Sequence, residues 1–469
     1  MLEASAMVAA EVDVAQQPIT RVYGGATTDE VEEAYRQDAV QAAQAGYLPV
    51  SQTWEHAGDT PALRVEYRAG SAPAGRDGQP AGSERSRADP PPPVSQRLAS
   101  QRPASGRPAG RPSGRRSLMT MEVIDMHCAG EPLRLVRSGL PEIPSLPAAE
   151  RRTWAADNID HIRRVVIGEP RGHRDMYGAI VLPAHGQQAD VAALFMTNSG
   201  WSTMCGHGII ALTVGLIEEG LHPQTRPVTT IRYEVPAGLV AANAATVATD
   251  GGAAVQAVRF TNVASYVAAR DLALRPDGVE LAGDAAERGE LAVDISFGGA
   301  YYGIVDAADI GLRVVPEQAE ALRRAGAAIT DVLRRDHTPN HPTDASLAFI
   351  YGTIIVDHRP ETSPDGRARG ATMRNATIFA DAELDRSPCG TGTSAILAQL
   401  HARSRLGVGQ QIANAGITGE QFLGRIEAES SLGPHRAIIP SIQGTAYVTG
   451  YSTLVVDDRD PLGEGFLLG

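Results

Sequence analysis

Apolar and polar positions change their spacing along the chain, and those changes divide it. Asp29 opens a helix predicted to run through Ala45, with an acidic first turn at Asp29, Glu30, Glu32 and Glu33 and a stop at Gly46. Tyr47 to Trp54 and Leu63 to Tyr67 then read as short strands. From about Ala69 to Arg116 large apolar residues almost vanish, and Pro, Gly, Ser, Ala and Arg take over, with Pro90 to Pro93 consecutive. Such a stretch cannot bury enough surface to fold and predicts a disordered, locally basic tether.

Structure is expected again from Met119 to Met121. Val123, Leu133, Leu135 and Val136, then Val165 to Ile167, Ile180 to Leu182 and Ala192 to Met196, read as strand material. Strands recur from Val228 to about Val267, and Leu291 to Val305 reads as a strand pair around Gly298 and Gly299. Glu317 to Arg334 carries apolar residues at helical spacing. Leu347 to Val356, Ala376 to Phe379, Arg425 to Ala428, Ala437 to Ile439 and Gly444 to Val455 complete the strands. Two further helices, from about Gly208 to Glu219 and Thr393 to Arg403, are predicted to follow two short cysteine segments. The pattern is mixed α/β, rich in strands, with one prominent helix per half.

Those segments are Met204-Cys205-Gly206-His207-Gly208 and Pro388-Cys389-Gly390-Thr391-Gly392, each about ten residues after a phenylalanine, Phe195 or Phe379. Aligned on their cysteines they also agree at Gly206/Gly390, Gly208/Gly392, Ala211/Ala395 and Leu216/Leu400. One turn built twice implies two facing halves. A cysteine just before a helix lies among unpaired N–H groups at the positive dipole end, which favours a thiolate. The same N–H groups suit a carboxylate, and the glycines allow close approach of backbone to ligand. Two such thiols on opposite sides of an amino acid Cα could remove a proton from one face and return one to the other. That is cofactor-independent racemisation or epimerisation, with the two thiols titrating as a coupled pair.

His207 and Asp385 fit supporting roles, orienting the substrate amine, the sulfur or the loop. Ordinary turn chemistry accounts for Asp385 equally well. A structural disulfide between Cys205 and Cys389 is the weaker reading in a reducing compartment. A zinc site from Cys128, Cys205, Cys389 and a histidine is weaker still, because no close Cys-x-x-Cys pair exists.

Composition narrows the classes. At 469 residues the chain can hold two or three domains. It has no lysine, so all 42 basic residues are arginine. That excludes a pyridoxal phosphate Schiff base and a Walker A loop, since both need lysine. A net charge of −13 argues against general binding to nucleic acid or anionic membrane. No apolar run approaches the roughly 20 residues that span a bilayer, and the first residues show no secretory signal. A cytoplasmic protein without a metal or cofactor is expected.

Residues 121 to 469 resemble the proline racemase family, which includes 4-hydroxyproline 2-epimerase and trans-3-hydroxy-L-proline dehydratase. The resemblance rests on Asp125-Met126-His127, Gly130-Glu131-Pro132-Leu133-Arg134, Glu169-Pro170-Arg171-Gly172-His173 and Asp175-Met176-Tyr177-Gly178. It continues through Ser202 to Gly208, Pro236 to Val240, Phe297-Gly298-Gly299 and Asp385 to Ala395. It implies a diaminopimelate epimerase-like fold of two pseudo-symmetric halves, each wrapping strands around a central helix, with the site in the cleft. It also implies a homodimer, no cofactor, Cys205 and Cys389 as the acid/base pair, and Gly206, His207, Asp385, Gly390 and Thr391 as substrate-binding positions. The expected halves are residues 119–255 with about 445–469, carrying Cys205, and residues 256–444, carrying Cys389, after a segment 1–68 and a linker 69–118.

Two positions depart from the family pattern. Cys128 stands where threonine or serine is more usual and reads as a small-residue substitution. The lead-in Ser202-Thr203 is similar to dehydratase members, whereas dehydratases replace the second cysteine by threonine, and here Cys389 is present. Inversion at Cα of 4-hydroxyproline or proline is therefore the leading reading, with dehydration of trans-3-hydroxy-L-proline as the alternative. A non-catalytic binding protein is the reading from another class.

Nothing in residues 1 to 118 belongs to these motifs. A chain beginning at Met121 should fold and turn substrate over at the full chain's rate, measured as kcat/KM; a folded but inactive product would overturn this.

Overall fold

The computed structural model describes residues 19–24, 47–57, 60–69, 118–249, 252–359 and 372–468. The expected helix from Asp29 to Ala45 and nearly all of the expected linker lie outside the described residues. The chain divides into two compact units, Met1–Pro90 and Pro91–Gly469.

In the first unit, strands Ile19–Gly24, Tyr47–Ala57 and Thr60–Ala69 form an antiparallel sheet with the last strand in the middle. The last two are the strands expected from sequence, joined as a hairpin; the first was not anticipated.

The second unit contains helices α1 (Ala148–Asn158), α2 (Asp160–Ile167), α3 (Gly206–Glu218), α4 (Gly283–Arg288), α5 (Ala319–Asp336) and α6 (Gly390–Ala402). Its strands hydrogen-bond edge to edge in a closed circuit, so among the described residues the circuit has no open edge. The same plan occurs twice. Glu131–Val136 runs parallel to Tyr177–Leu182, with α1 and α2 in the crossover. Tyr301–Asp306 runs parallel to Ile350–Asp357, with α5 in the crossover. In each case an antiparallel neighbour, Val191–Thr197 or Met373–Phe379, then leads towards a cysteine turn.

Helices α3 and α6 are buried on nearly all sides, as expected of helices that are apolar all round. Strands Leu118–Cys128, Glu131–Val136, Gly238–Thr249, Gly252–Thr261 and Ala446–Asp457 surround α3. Strands Ser265–Leu274, Leu291–Phe297, Tyr301–Asp306, Gln421–Leu432 and His435–Gly444 pack on α6. The last strand returns across the whole sequence to pair with the first of this unit, from Ala446 opposite Cys128 to Asp457 opposite Leu118.

Local sequence misled at the end of α2, gave no sign of α1 or α4, and started one strand too early at Leu347, which lies in a 3-10 turn before Ile350–Asp357. Val165, Val166 and Ile167 are not a strand but the last turn of α2. Their branched side chains favour strands in isolation. Here Ile162, Val165 and Val166 share one helical face and are buried, so packing outweighs propensity. Helices α3 and α6 begin two and three residues earlier than expected, because each cysteine is itself the N-cap.

The two central helices start against each other. A Cβ placed on Gly206 would lie 2.6 Å from the Gly390 Cα, and one on Gly390 would lie 2.7 Å from the Gly206 Cα. Neither contact can be relieved by turning a side chain, since both partners are backbone. Gly206→Ala should therefore force the helix starts apart and destabilise the protein by about 1–3 kcal/mol, read from denaturant unfolding. An unchanged midpoint would show that the helices separate freely.

Candidate active site

The two cysteine turns place their sulfurs alike. Cys205 accepts a hydrogen bond from the Gly208 N–H at 3.3 Å, and Cys389 accepts one from the Gly392 N–H at 3.3 Å. A side chain at Gly208 would meet Cys205 Sγ at 2.8 Å and Phe195 at 2.5 Å, and one at Gly392 would meet Cys389 Sγ at 3.1 Å. Glycine at these positions is what lets sulfur occupy the cap.

The turns also differ. Cys205 is extended, with φ −142°, whereas Cys389 has φ 61° and ψ 115°. A positive φ is uncommon and strained for a residue with a side chain, so the second sulfur is held in place against a local preference.

The expectation that the helix starts lower the thiol pKa values is corrected by burial. Both cysteines are about 95% buried. Desolvation raises Cys205 well above an ordinary thiol; the Gly208 N–H opposes this, while Asp385, Cys389 and Glu131 add to it. Cys389 is pushed up to about 12, first by burial and then by Asp385, against hydrogen bonds from Thr391 and Gly392. Removing a thiolate from water outweighs two or three donors. Cys205 nevertheless senses the second turn, since Asp385 and Cys389 both contribute to its shift after burial.

Beside Cys205 stands the His207 ring, whose Nδ1 and Nε2 lie 3.5 and 3.6 Å from Sγ. Burial lowers the His207 pKa to about 3, so the ring is neutral and forms no imidazolium–thiolate pair. Around Cys389, the Thr391 hydroxyl lies 3.6 Å from Sγ and is tied at 2.8 Å to the hydroxyl of Tyr302, itself 4.0 Å from the sulfur. Asp385 accepts the Ser387 N–H at 2.8 Å, and Ser387 Oγ accepts the Cys389 N–H at 3.1 Å. Asp385 thus shapes the turn and also places a carboxyl beside the second thiol. Burial raises it to about 6, against hydrogen bonds from Ser387.

Glu131 and Tyr177 lie within the family segments, but nothing local to them in the sequence points to a role. Glu131 is buried and accepts the Arg386 N–H at 2.7 Å. Burial, then the neighbouring Asp385, raise its pKa far above the usual range. Two carboxyls sharing one dry site cannot both ionise readily. Tyr177 packs its edge on His207 at 4.7 Å and places its hydroxyl 3.1 Å from that of Tyr351. Tyr351 stacks on Phe379 at 5.4 Å. Phe379 also had a signal in the sequence, its distance from Cys389; Tyr302 and Tyr351 had none, because their neighbours come from across the fold.

Cys128 is a buried free thiol whose pKa is raised by burial and then by Asp385 and Glu131. It sits beside the acidic pair and is close to neither helix start by any hydrogen bond. All three cysteines are free, and among the described residues no cluster of three His, Cys, Asp or Glu side chains could hold a metal. Among the same residues no helix is long and apolar enough to cross a membrane.

The family model for proline racemase matches residues 123–467. The chain is 41% identical over 347 residues to a trans-3-hydroxy-L-proline dehydratase of Bacillus cereus, across 74% of this chain and 97% of that protein. It is 36% identical over 349 residues to a proline racemase of Clostridioides difficile, across 74% and 98%. A crystal structure of a hydroxyproline epimerase from Agrobacterium vitis, with trans-4-OH-L-proline bound, superposes with a TM-score of 0.66 at 30% identity, covering 75% of this chain and 97% of that one. The fold is the diaminopimelate epimerase-like one that the sequence resemblance implied.

Because burial raises both thiols, iodoacetamide should modify Cys205 and Cys389 in the ligand-free protein more slowly than a free cysteine peptide at pH 8. The rate should still be climbing above pH 10, as the thiolate fraction grows only on approaching the raised pKa. Peptide mapping of alkylated protein checks this; a plateau near pH 8 would mean that the helix starts win over burial.

Proposed function

The chain belongs to the proline racemase family, and within it we propose that this protein inverts Cα of a proline-type imino acid, 4-hydroxyproline or proline, with Cys205 and Cys389 as the two bases. The observation that supports this reading is the pair of capped thiols at two abutting helix starts. The substrate carboxylate lies against the N–H groups of Gly206, His207, Gly390 and Thr391, where the two positive dipole ends meet. Asp385 and the neutral His207 take the amine.

In one direction a thiolate removes the Cα proton and becomes a thiol, while the opposite cysteine gives its proton to the other face and becomes a thiolate. The pair therefore ends each turnover with its protons exchanged, and the reverse direction starts from that state. The dry surroundings that make a thiolate scarce also make it a stronger base, which narrows the gap to a weakly acidic Cα–H. Charge developing on the substrate carboxylate is met by fixed N–H dipoles. Homodimeric assembly and the absence of a resident cofactor belong to the same reading.

A second reading, dehydration of trans-3-hydroxy-L-proline, is favoured by the Bacillus cereus relative and by the Ser202-Thr203 lead-in, both residues of which are buried. Cys205 would remove the α-proton and the 3-hydroxyl would leave as water. Retention of Cys389 supports inversion over it, because a proton donor on the second face is needed for inversion and not for elimination.

Proton NMR in D2O with L-proline, trans-4-hydroxy-L-proline and trans-3-hydroxy-L-proline separates the readings. Loss of Cα–H with appearance of the epimer is expected; conversion of the 3-hydroxy compound to a pyrroline carboxylate would make the protein a dehydratase instead. Cys389→Ser should lower inversion by about 10²-fold or more while leaving Cα–H exchange that starts at Cys205. Full inversion in that variant would sink the two-base assignment.

A further inference from the structure

Glu383 is a buried acid that the mechanism above does not use. It is 3% exposed, and neither of its carboxylate oxygens has a hydrogen-bond partner among the described residues. An unpartnered buried carboxyl is costly to a fold, so its persistence points to a partner that comes and goes.

Its position is set by register. The short strand Glu383–Leu384 pairs antiparallel with Met373–Phe379, with Glu383 directly opposite Phe379. Directly opposed residues put their side chains on the same face. On that face the Phe379 ring stacks on Tyr351 at 5.4 Å and meets Tyr177 edge-on at 5.8 Å. Tyr177 in turn packs on His207, whose ring reaches the Cys205 sulfur. Two residues after Glu383, Asp385 stands beside Cys389. Glu383 therefore lies along a wall whose polar points are the hydroxyls of Tyr177 and Tyr351, 3.1 Å apart, close enough for its charge to add to burial in raising the pKa of both.

We propose that Glu383, with the hydroxyls of Tyr351 and Tyr177, forms the seat for a hydroxyl on the ring of the imino acid substrate. This rests on the reading of the site as one for proline-type imino acids and adds that the hydroxylated members are preferred. The carboxylate end is held by the helix starts and the amine by Asp385 and His207, which leaves the ring carbons to face the aromatic wall. Phe379 covers their apolar faces, and a ring hydroxyl there meets groups that both donate and accept. Burial, followed by the charges of Asp175 and Asp381 and against Arg323 and Arg163, raises Glu383 to about 8. Its protonated form, able to donate as well as accept, is thus populated near neutral pH. A site built to hydrogen-bond a hydroxyl rejects the analogue lacking it, because its polar groups are then left unpaired.

The test compares trans-4-hydroxy-L-proline, trans-3-hydroxy-L-proline and L-proline on the full chain and on Glu383→Leu, Glu383→Gln and Tyr351→Phe. Calorimetric Kd values and kcat/KM for Cα–H exchange in D2O are both measured. Glu383→Leu should lower the preference for a hydroxylated ring over L-proline by roughly 10- to 100-fold. Tyr351→Phe should move it the same way by less, and Glu383→Gln should restore most of it. Equal losses on hydroxylated and plain rings, or an unchanged ratio, would overturn the subsite. Affinity without any Cα–H exchange in the unmodified protein would instead refute inversion, while the Kd ratios would still decide the role of Glu383.

Discussion

The meeting of two helix N-termini at Gly206 and Gly390 is the constraint on which the rest of this molecule depends. Two positive dipole ends brought together repel each other, and nothing at the contact but glycine backbone would fit. The surrounding strands hold them there. Each helix is wrapped by its own set of strands, and the last strand is tied back to Leu118–Cys128. Packing of the surrounding strands thus supports a local arrangement that is unfavourable on its own.

That arrangement also explains why the sulfurs are buried rather than acidic. A helix start exposed to water would favour a thiolate; two starts closed on one another exclude the water that a thiolate also needs. The raised thiol pKa values follow from burial first and from the acidic neighbours Asp385 and Glu131 after it. A scarce but strong base is the consequence, and a dry site is also where fixed N–H groups act most strongly on a developing charge.

The near symmetry is broken around the thiols. His207 stands beside Cys205, whereas Thr391 and Tyr302 stand beside Cys389. Asp385 has no acidic counterpart before Cys205, where the fourth preceding residue is Trp201. Backbone conformation differs as well, extended at Cys205 and left-handed at Cys389. The asymmetry suits the imino acid proposed above as substrate, since the two faces of a chiral Cα are not equivalent.

The amino-acid sequence by itself determined the elements whose signal is local. Glycine-flanked cysteines ahead of apolar runs marked both central helices, and the Leu291 to Val305 strand pair and the amphipathic α5 followed from their spacing. Absence of lysine excluded whole classes of chemistry at once. Local signals failed where packing decides: Val165 to Ile167 became helix because one face of that turn was needed in the core, and α1 was missed because its apolar stripe is weak. Tertiary structure alone brought Glu131, Tyr177, Tyr302 and Tyr351 to the two thiols. Their spacing along the chain carries no trace of this, because strand pairings between distant segments set it. Tertiary structure also decided the charge state of the cysteines. A helix start can be read from a few neighbouring residues, whereas exclusion of water is a property of everything packed around them.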